Sequence, residues 1–230
     1  MKNYIGFVND HSGSMFQLRT AAIKDYNANI EAVKHAANTE MLDTVVSVVG
    51  VGFPDRNQVT RQVQISNPHV LKPVTDWPTL GGTPLYDGIA DMIQLLKNLP
   101  DADNPNVSFL VMITTDGAEE HSTKYDAISL KALIQQVSNT GRWTFAIRVP
   151  RGSNKNMISN IGIPMDNIQE WDTSSQGLEK STQVQAQAVS AYYTARSSGL
   201  KSSNAFYADA SKVDVQSCPC CCSTTGSSCK

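Results

Sequence analysis

Apolar residues in this chain fall into two alternating kinds of run. Short, predominantly apolar blocks occur at Tyr4 to Val8, Leu42 to Val51, Val107 to Ile113 and Trp143 to Val149. They have the length of strands and the near-continuous apolarity of strands covered on both faces. Between the blocks, apolar residues recur mostly at threes and fours. One set is Phe16, Ile23, Tyr26, Ile30, Val33 and Ala37; another is Leu85, Ile89, Met92, Leu96 and Leu99. Ala127, Leu130, Leu133, Ile134 and Val137 form a third, and Leu178, Val184, Ala188, Ala191 and Ala195 a closing one. Each spacing predicts an amphipathic helix. Thr60 to Ser66 alternates instead, with Val63 and Ile65 apolar and Gln62 and Gln64 polar. That is a half-exposed strand, joined to its predecessor by the turn at Gly52 to Asn57. Asn156 to Asn160 and Asn167 to Trp171 read as a short helix and a short last strand.

Strands alternating with helices predict an α/β fold. The expected architecture is doubly wound and Rossmann-like: a mostly parallel central sheet of about six strands, one antiparallel edge strand, and helices on both faces. Asn67 to Gly82 is a loop with Pro68, Pro73, Pro78 and Gly81-Gly82, and it delivers Thr83-Pro84 to a helix start. From Ser197 onward the apolar periodicity stops. The expected division is a domain over residues 1–198 and a flexible Ser/Cys-rich tail over 199–230. All the cysteines, Cys218, Cys220, Cys221, Cys222 and Cys229, fall in that tail, so disulfides are not expected to hold the core.

Bulk properties narrow the function classes. The length of 230 residues is ample for a hydrophobic core, and a net charge of −2 gives no basic footprint for nucleic acid. No apolar run approaches a membrane span. Lys2 is followed by a few apolar residues interrupted by Gly6, unlike a signal peptide, so a cytoplasmic protein is expected.

The candidate chemistry lies at strand ends. Asp10, Ser12 and Ser14 are spaced by two in the turn after the first strand, where their oxygens can converge. Asp116 ends the most apolar strand, and Thr83 opens a helix. Sites in open parallel sheets form beyond the carboxyl ends of strands where connections diverge. Two carboxylates and three hydroxyls there make an all-oxygen set suited to a hard cation. Taken singly, Ser14 and Thr83 read better as helix caps; taken jointly with Asp10 and Asp116, they read as a metal site. His11, His35, His69 and His121 show no zinc spacing.

Asp10-His11-Ser12-Gly13-Ser14, Gly82-Thr83-Pro84-Leu85 and Ile113-Thr114-Thr115-Asp116-Gly117 together resemble the metal-ion-dependent adhesion site of a von Willebrand factor type A (vWA) domain. The resemblance implies that Asp10, Ser12, Ser14, Thr83 and Asp116 bind Mg²⁺, with Mn²⁺ or Ca²⁺ as alternatives. It also implies that a protein partner supplies an Asp or Glu carboxylate to complete the shell. Met15 and Phe16 stand where some members place acidic residues for a second cation, so no adjacent second site is expected. Glu119, Glu120 and His121 are expected at the rim, or simply in solvent. The expected function is cation-dependent protein–protein interaction. A structural or assembly role, as a virion subunit or ATPase adaptor, uses the same fold. A Mg²⁺-dependent phosphoester hydrolase is less well supported, because no general base, Walker-type loop or nucleophile pair is evident. The chain is therefore not expected to be an enzyme.

Overall fold

A computed structural model describes residues 1–210 apart from Arg56, Asn57, Ala118 and Asn154. Its strands are β1 (Lys2–Asp10), β2 (Asp43–Val51), β3 (Val59–Ser66), β4 (Val107–Thr114), β5 (Trp143–Pro150) and β6 (Ile168–Trp171). Its helices are α1 (Arg19–Thr39), α2 (Leu85–Lys97), α3 (Ala127–Ser138), α4 (Lys155–Asn160), α5 (Ser175–Ser197) and α6 (Phe206–Ala210). A tight 3₁₀ turn, Gly13–Leu18, leads from β1 into α1.

The sheet runs in the order β3-β2-β1-β4-β5-β6. Every neighbouring pair is parallel except β2 with β3, so the alternating segment is the antiparallel edge strand. Successive residues of β1 serve opposite faces. Tyr4 and Val8 pack with α2 and α3, whereas Ile5 and Phe7 pack with α1 and α5. This two-sided burial explains why the central strands are apolar at both parities. Among the described residues, no helix is long and apolar enough to cross a membrane.

Two glycines set how closely α2 approaches the sheet. A Cβ on Gly6 would stand 2.7 Å from the Met92 sulfur, and one on Gly88 would stand 2.3 Å from a Val51 methyl. Without side chains at these points, α2 sinks onto β1 and β2.

A buried ion pair ties the other face together. Arg148 of β5, fully buried, grips Asp25 of α1 through two parallel hydrogen bonds of 2.8 and 2.7 Å. It also donates to the Thr114 hydroxyl at 2.7 Å, and Thr182 of α5 donates to Asp25. Burial opposes the charge on Arg148, but Asp25 more than offsets it and raises the guanidinium pKa. Removing one partner of such a pair costs about 3–5 kcal/mol, because the other charge is left stranded.

The expected tail start at residue 199 is too early. Phe206 is 2% exposed and lies in the core cluster with Tyr192 and Tyr193. Asn167, fully buried, accepts from the Phe206 N–H at 2.7 Å and donates to the carbonyls of Ser203 and Phe145. The polar run after Leu200 thus leads back to the core and is anchored there by Phe206, with Tyr207 packed beside it and donating to Gln185. The cysteine-rich stretch, with Cys218, Cys220, Cys221, Cys222 and Cys229, lies outside the described residues.

Candidate metal centre

β1 lies between β2 and β4, and the chain leaves β1 and β4 toward opposite faces, so the switch point falls between these two strands. Asp10 is level with Val51, and Asn9 with Thr114, which brings Asp10 and the Thr115-Asp116 segment to one crevice. Asp10 is 1% exposed. Its Oδ1 accepts the Ser12 N–H at 2.7 Å, and its Oδ2 accepts the Thr115 hydroxyl at 2.7 Å. The Ser12 and Ser14 hydroxyls are 2.9 Å apart, and Ser14 donates to Asp116 Oδ1 at 2.7 Å. A hydroxyl–hydroxyl–carboxylate chain therefore lies beside a buried carboxylate.

Thr83 reaches the same place from the loop just before α2. Its Oγ1 and the Ser14 Oγ lie 3.9 and 4.0 Å from the point where a Cβ on Gly117 would stand. The helix-cap readings fail for both residues. Ser14 sits inside the 3₁₀ turn and spends its proton on Asp116, and the residue preceding α2 is Pro84, with no side-chain cap.

Two carboxylates share this crevice. Burial pushes the Asp116 carboxyl from 3.8 up to about 6, opposed by the Ser14 hydrogen bond and reinforced by the charge on Asp10. Among the described residues, no three His, Cys, Asp or Glu side chains are grouped to hold a metal. The candidate set has just two carboxylates, and hydroxyls complete it. This suits a hard cation that retains water and not zinc or another soft metal.

The loop that delivers Thr83 is pinned to β1 by residues outside the candidate set. Trp77 donates its indole N–H to the Asp10 carbonyl at 3.1 Å and stacks on His11 at 4.3 Å between ring centroids. His11 is 2% exposed, with Nδ1 2.9 Å from the Pro78 carbonyl and Nε2 3.0 Å from the Gln62 amide nitrogen. A carbonyl must receive a proton, so Nδ1 carries it and Nε2 accepts from Gln62. Burial lowers the His11 pKa, in keeping with this neutral tautomer. Leu80 N–H donates to the His11 carbonyl, and Gly13 N–H to that of Gly81, at 2.8 and 2.9 Å. His11, which shows no zinc spacing, is thus a loop anchor.

A reciprocal clamp joins the other two segments. Glu119 accepts the backbone N–H groups of Tyr86 and Ser122, at 2.7 and 2.8 Å. Asp87, in the first turn of α2, accepts those of Thr123, Lys124 and Tyr125. The Glu120 N–H donates to the Thr83 carbonyl at 3.0 Å. Glu119 is therefore a half-buried brace between the Thr83 and Asp116 segments and not a solvated charge. Glu120 and His121 are exposed. The sequence carried no signal for Asp87 or Trp77, and for Thr115 only its place beside Asp116.

No family model matches the sequence, and no curated protein is detectably similar to it. Solved structures are similar in fold. The pilus adhesin SpaC from Lactobacillus rhamnosus GG superposes with a TM-score of 0.59 at 14% identity, over 83% of this chain and 30% of its own. The vWF domain of the type V pili tip protein Mfa5 from Porphyromonas gingivalis gives 0.54 at 10% identity, over 79% and 94%. The SpRpn10 VWA domain gives 0.54 at 13% identity, over 80% and 94%. The fold is vWA-like. The chain spans less than half the length of SpaC and of other long neighbours. At these identities the likeness carries the fold alone, and its spread from a pilus adhesin to Rpn10 selects no cellular compartment. In this vWA-like domain, Asp10, Ser12, Ser14, Thr83 and Asp116 stand together at the carboxyl end of the sheet.

Proposed function

We propose that this vWA-like domain is a divalent-cation-dependent protein-interaction module that captures an acidic residue of a partner. The observation that carries the reading is the Ser12–Ser14–Asp116 chain of hydroxyls and carboxylate beside buried Asp10. Ser14 gives its proton to Asp116 and Ser12 gives its own to Ser14, so each serine oxygen keeps a lone pair for a cation. Ser12, Ser14 and Thr83 would hold Mg²⁺ through their hydroxyl oxygens, and Asp10 and Asp116 would balance its charge directly or through water. Mn²⁺ or Ca²⁺ are the alternatives that the same donors accept. Neutral hydroxyls around the ion leave positive charge uncompensated, which favours one further carboxylate from outside. Several vWA-like neighbours are described as adhesins or pilus tip proteins, which accords with capture of a partner.

The test begins with thermal unfolding of chelator-treated protein titrated with MgCl₂. A ligand at a hundred times its Kd adds about 2.7 kcal/mol of stability, roughly 5–10 °C in a domain of this size. That rise should vanish in Asp10→Ala. An unfolding midpoint indifferent to Mg²⁺, Mn²⁺ and Ca²⁺ alike would overturn the cation site. Partner capture that survives both chelator and Asp10→Ala would overturn its proposed use.

A further inference from the structure

An apolar cavity opens directly beside the candidate metal centre. It has a volume of about 510 Å³ and lies between the start of α2, the ends of β4 and β5, and α4. Leu85, Tyr86, Ile147, Val149, Ile158 and Ile161 form its apolar wall. Thr115, Asp116, Gly117 and Glu119, from the segment that closes the metal centre, also line it. Asp116 therefore faces both spaces. The wall is firm: Leu85, Ile147, Val149 and Ile161 are 5% exposed or less, and Glu119 fixes Tyr86 through its backbone N–H. Another cavity, of about 420 Å³ between α1 and α5, shares no residue with the five-oxygen set.

We infer that this cavity is a specificity pocket. The partner segment would carry an Asp or Glu immediately next to a bulky apolar residue such as Leu, Ile, Met or Phe. The inference rests on the cation reading above. A carboxylate directed at the cation brings its flanking residue over Asp116, and the cavity begins at that residue. Apolar walls with a few polar groups at one end are the usual make-up of a site that recognises an amphipathic ligand. An acidic flanking side chain would meet the carboxylates of Asp116 and Glu119 and a small one would leave the apolar wall uncovered, whereas a Leu-sized one gains its burial. Burial of that size corresponds to roughly ten- to hundredfold in affinity.

The experiment uses a random peptide library displayed on phage, selected on the immobilised full chain in MgCl₂ and eluted with EDTA. Enriched sequences should carry an acidic residue with a bulky apolar neighbour. Synthetic peptides in which that neighbour is changed to Ala should bind roughly ten- to hundredfold more weakly. Ser153, partly exposed at the cavity edge, provides the variant: Ser153→Trp places an indole in the cavity and leaves the core untouched, and Ser153→Ala is its control. In Ser153→Trp the apolar preference should disappear while the acidic requirement and the EDTA elution remain. Acidic peptides with no apolar preference, or a preference that persists in Ser153→Trp, would overturn the pocket and leave the cation reading intact. Enrichment of nothing, or of peptides without an acidic residue, would overturn both.

Discussion

Replacing Asp116 with asparagine should have opposite effects with and without metal. In the metal-free protein, ionised Asp116 is unfavourable, because its carboxyl is pushed from 3.8 to about 6 by burial and by Asp10. Each pH unit of displacement is worth about 1.4 kcal/mol, so the ionised group carries up to about 3 kcal/mol. Asp116 is partly exposed, and solvent screening reduces this to about 1–2 kcal/mol. Asn keeps an oxygen to accept the Ser14 hydroxyl and removes the repulsion from Asp10. Metal-free Asp116→Asn should therefore be about 1–2 kcal/mol more stable than the parent at pH 8, roughly 2–8 °C in midpoint. The pH dependence fixes the sign. Between 3.8 and about 6 the folded parent holds a proton that the unfolded chain has released. Its stability falls as pH rises through that window, and the advantage of the variant should shrink toward zero near pH 4. Saturating Mg²⁺ should reverse the order, since the cation favours the carboxylate that the variant lacks. The assay is differential scanning fluorimetry at pH 4, 6 and 8, in EDTA and in MgCl₂. A variant less stable than the parent in EDTA at pH 8, or one stabilised by Mg²⁺ as much as the parent, would refute the reasoning.

His11→Ala should leave the protein folded but weaken Mg²⁺ by about tenfold in calorimetric titration, because the Trp77 stack and the Pro78 and Gln62 contacts that position the Thr83 loop are lost. Phe206→Ala should cost about 3–5 kcal/mol in urea unfolding, and a chain ended at Ser198 at least as much; a truncation as stable as the full chain would show that α6 merely rests on the surface.

What the sequence reveals about this domain depends on whether the partners of each residue lie nearby in the chain. Strands buried on both faces announce themselves, because every position between Val107 and Ile113 meets a helix on one side or the other. Edge strand β3 is equally legible, since its exposed Gln62 and Gln64 interrupt the apolar run. Asp10, Ser12 and Ser14 are readable because three oxygens within five residues need only one turn to converge. Thr83 and Asp116 are readable because each closes or opens an element at the same end of the sheet. Arg148 is different. It lies in an apolar strand 123 positions from Asp25, and only the packing of α1 against β5 makes them partners. Phe206 and Tyr207 form one short aromatic pair after a polar run, where periodicity has nothing to repeat. Asp87 and Glu119 look like ordinary helix and loop charges until the strands set α2 beside the loop after β4. These long-range braces also decide whether the donor set can work. Asp10, Ser12 and Ser14 are also bonded to one another within their turn, whereas the Thr83 and Asp116 segments depend on Trp77, His11, Glu119 and Asp87. Loss of a brace should therefore loosen Thr83 and Asp116 first and leave the Asp10 turn in place. The residues that name the site are local, and those that assemble it are not.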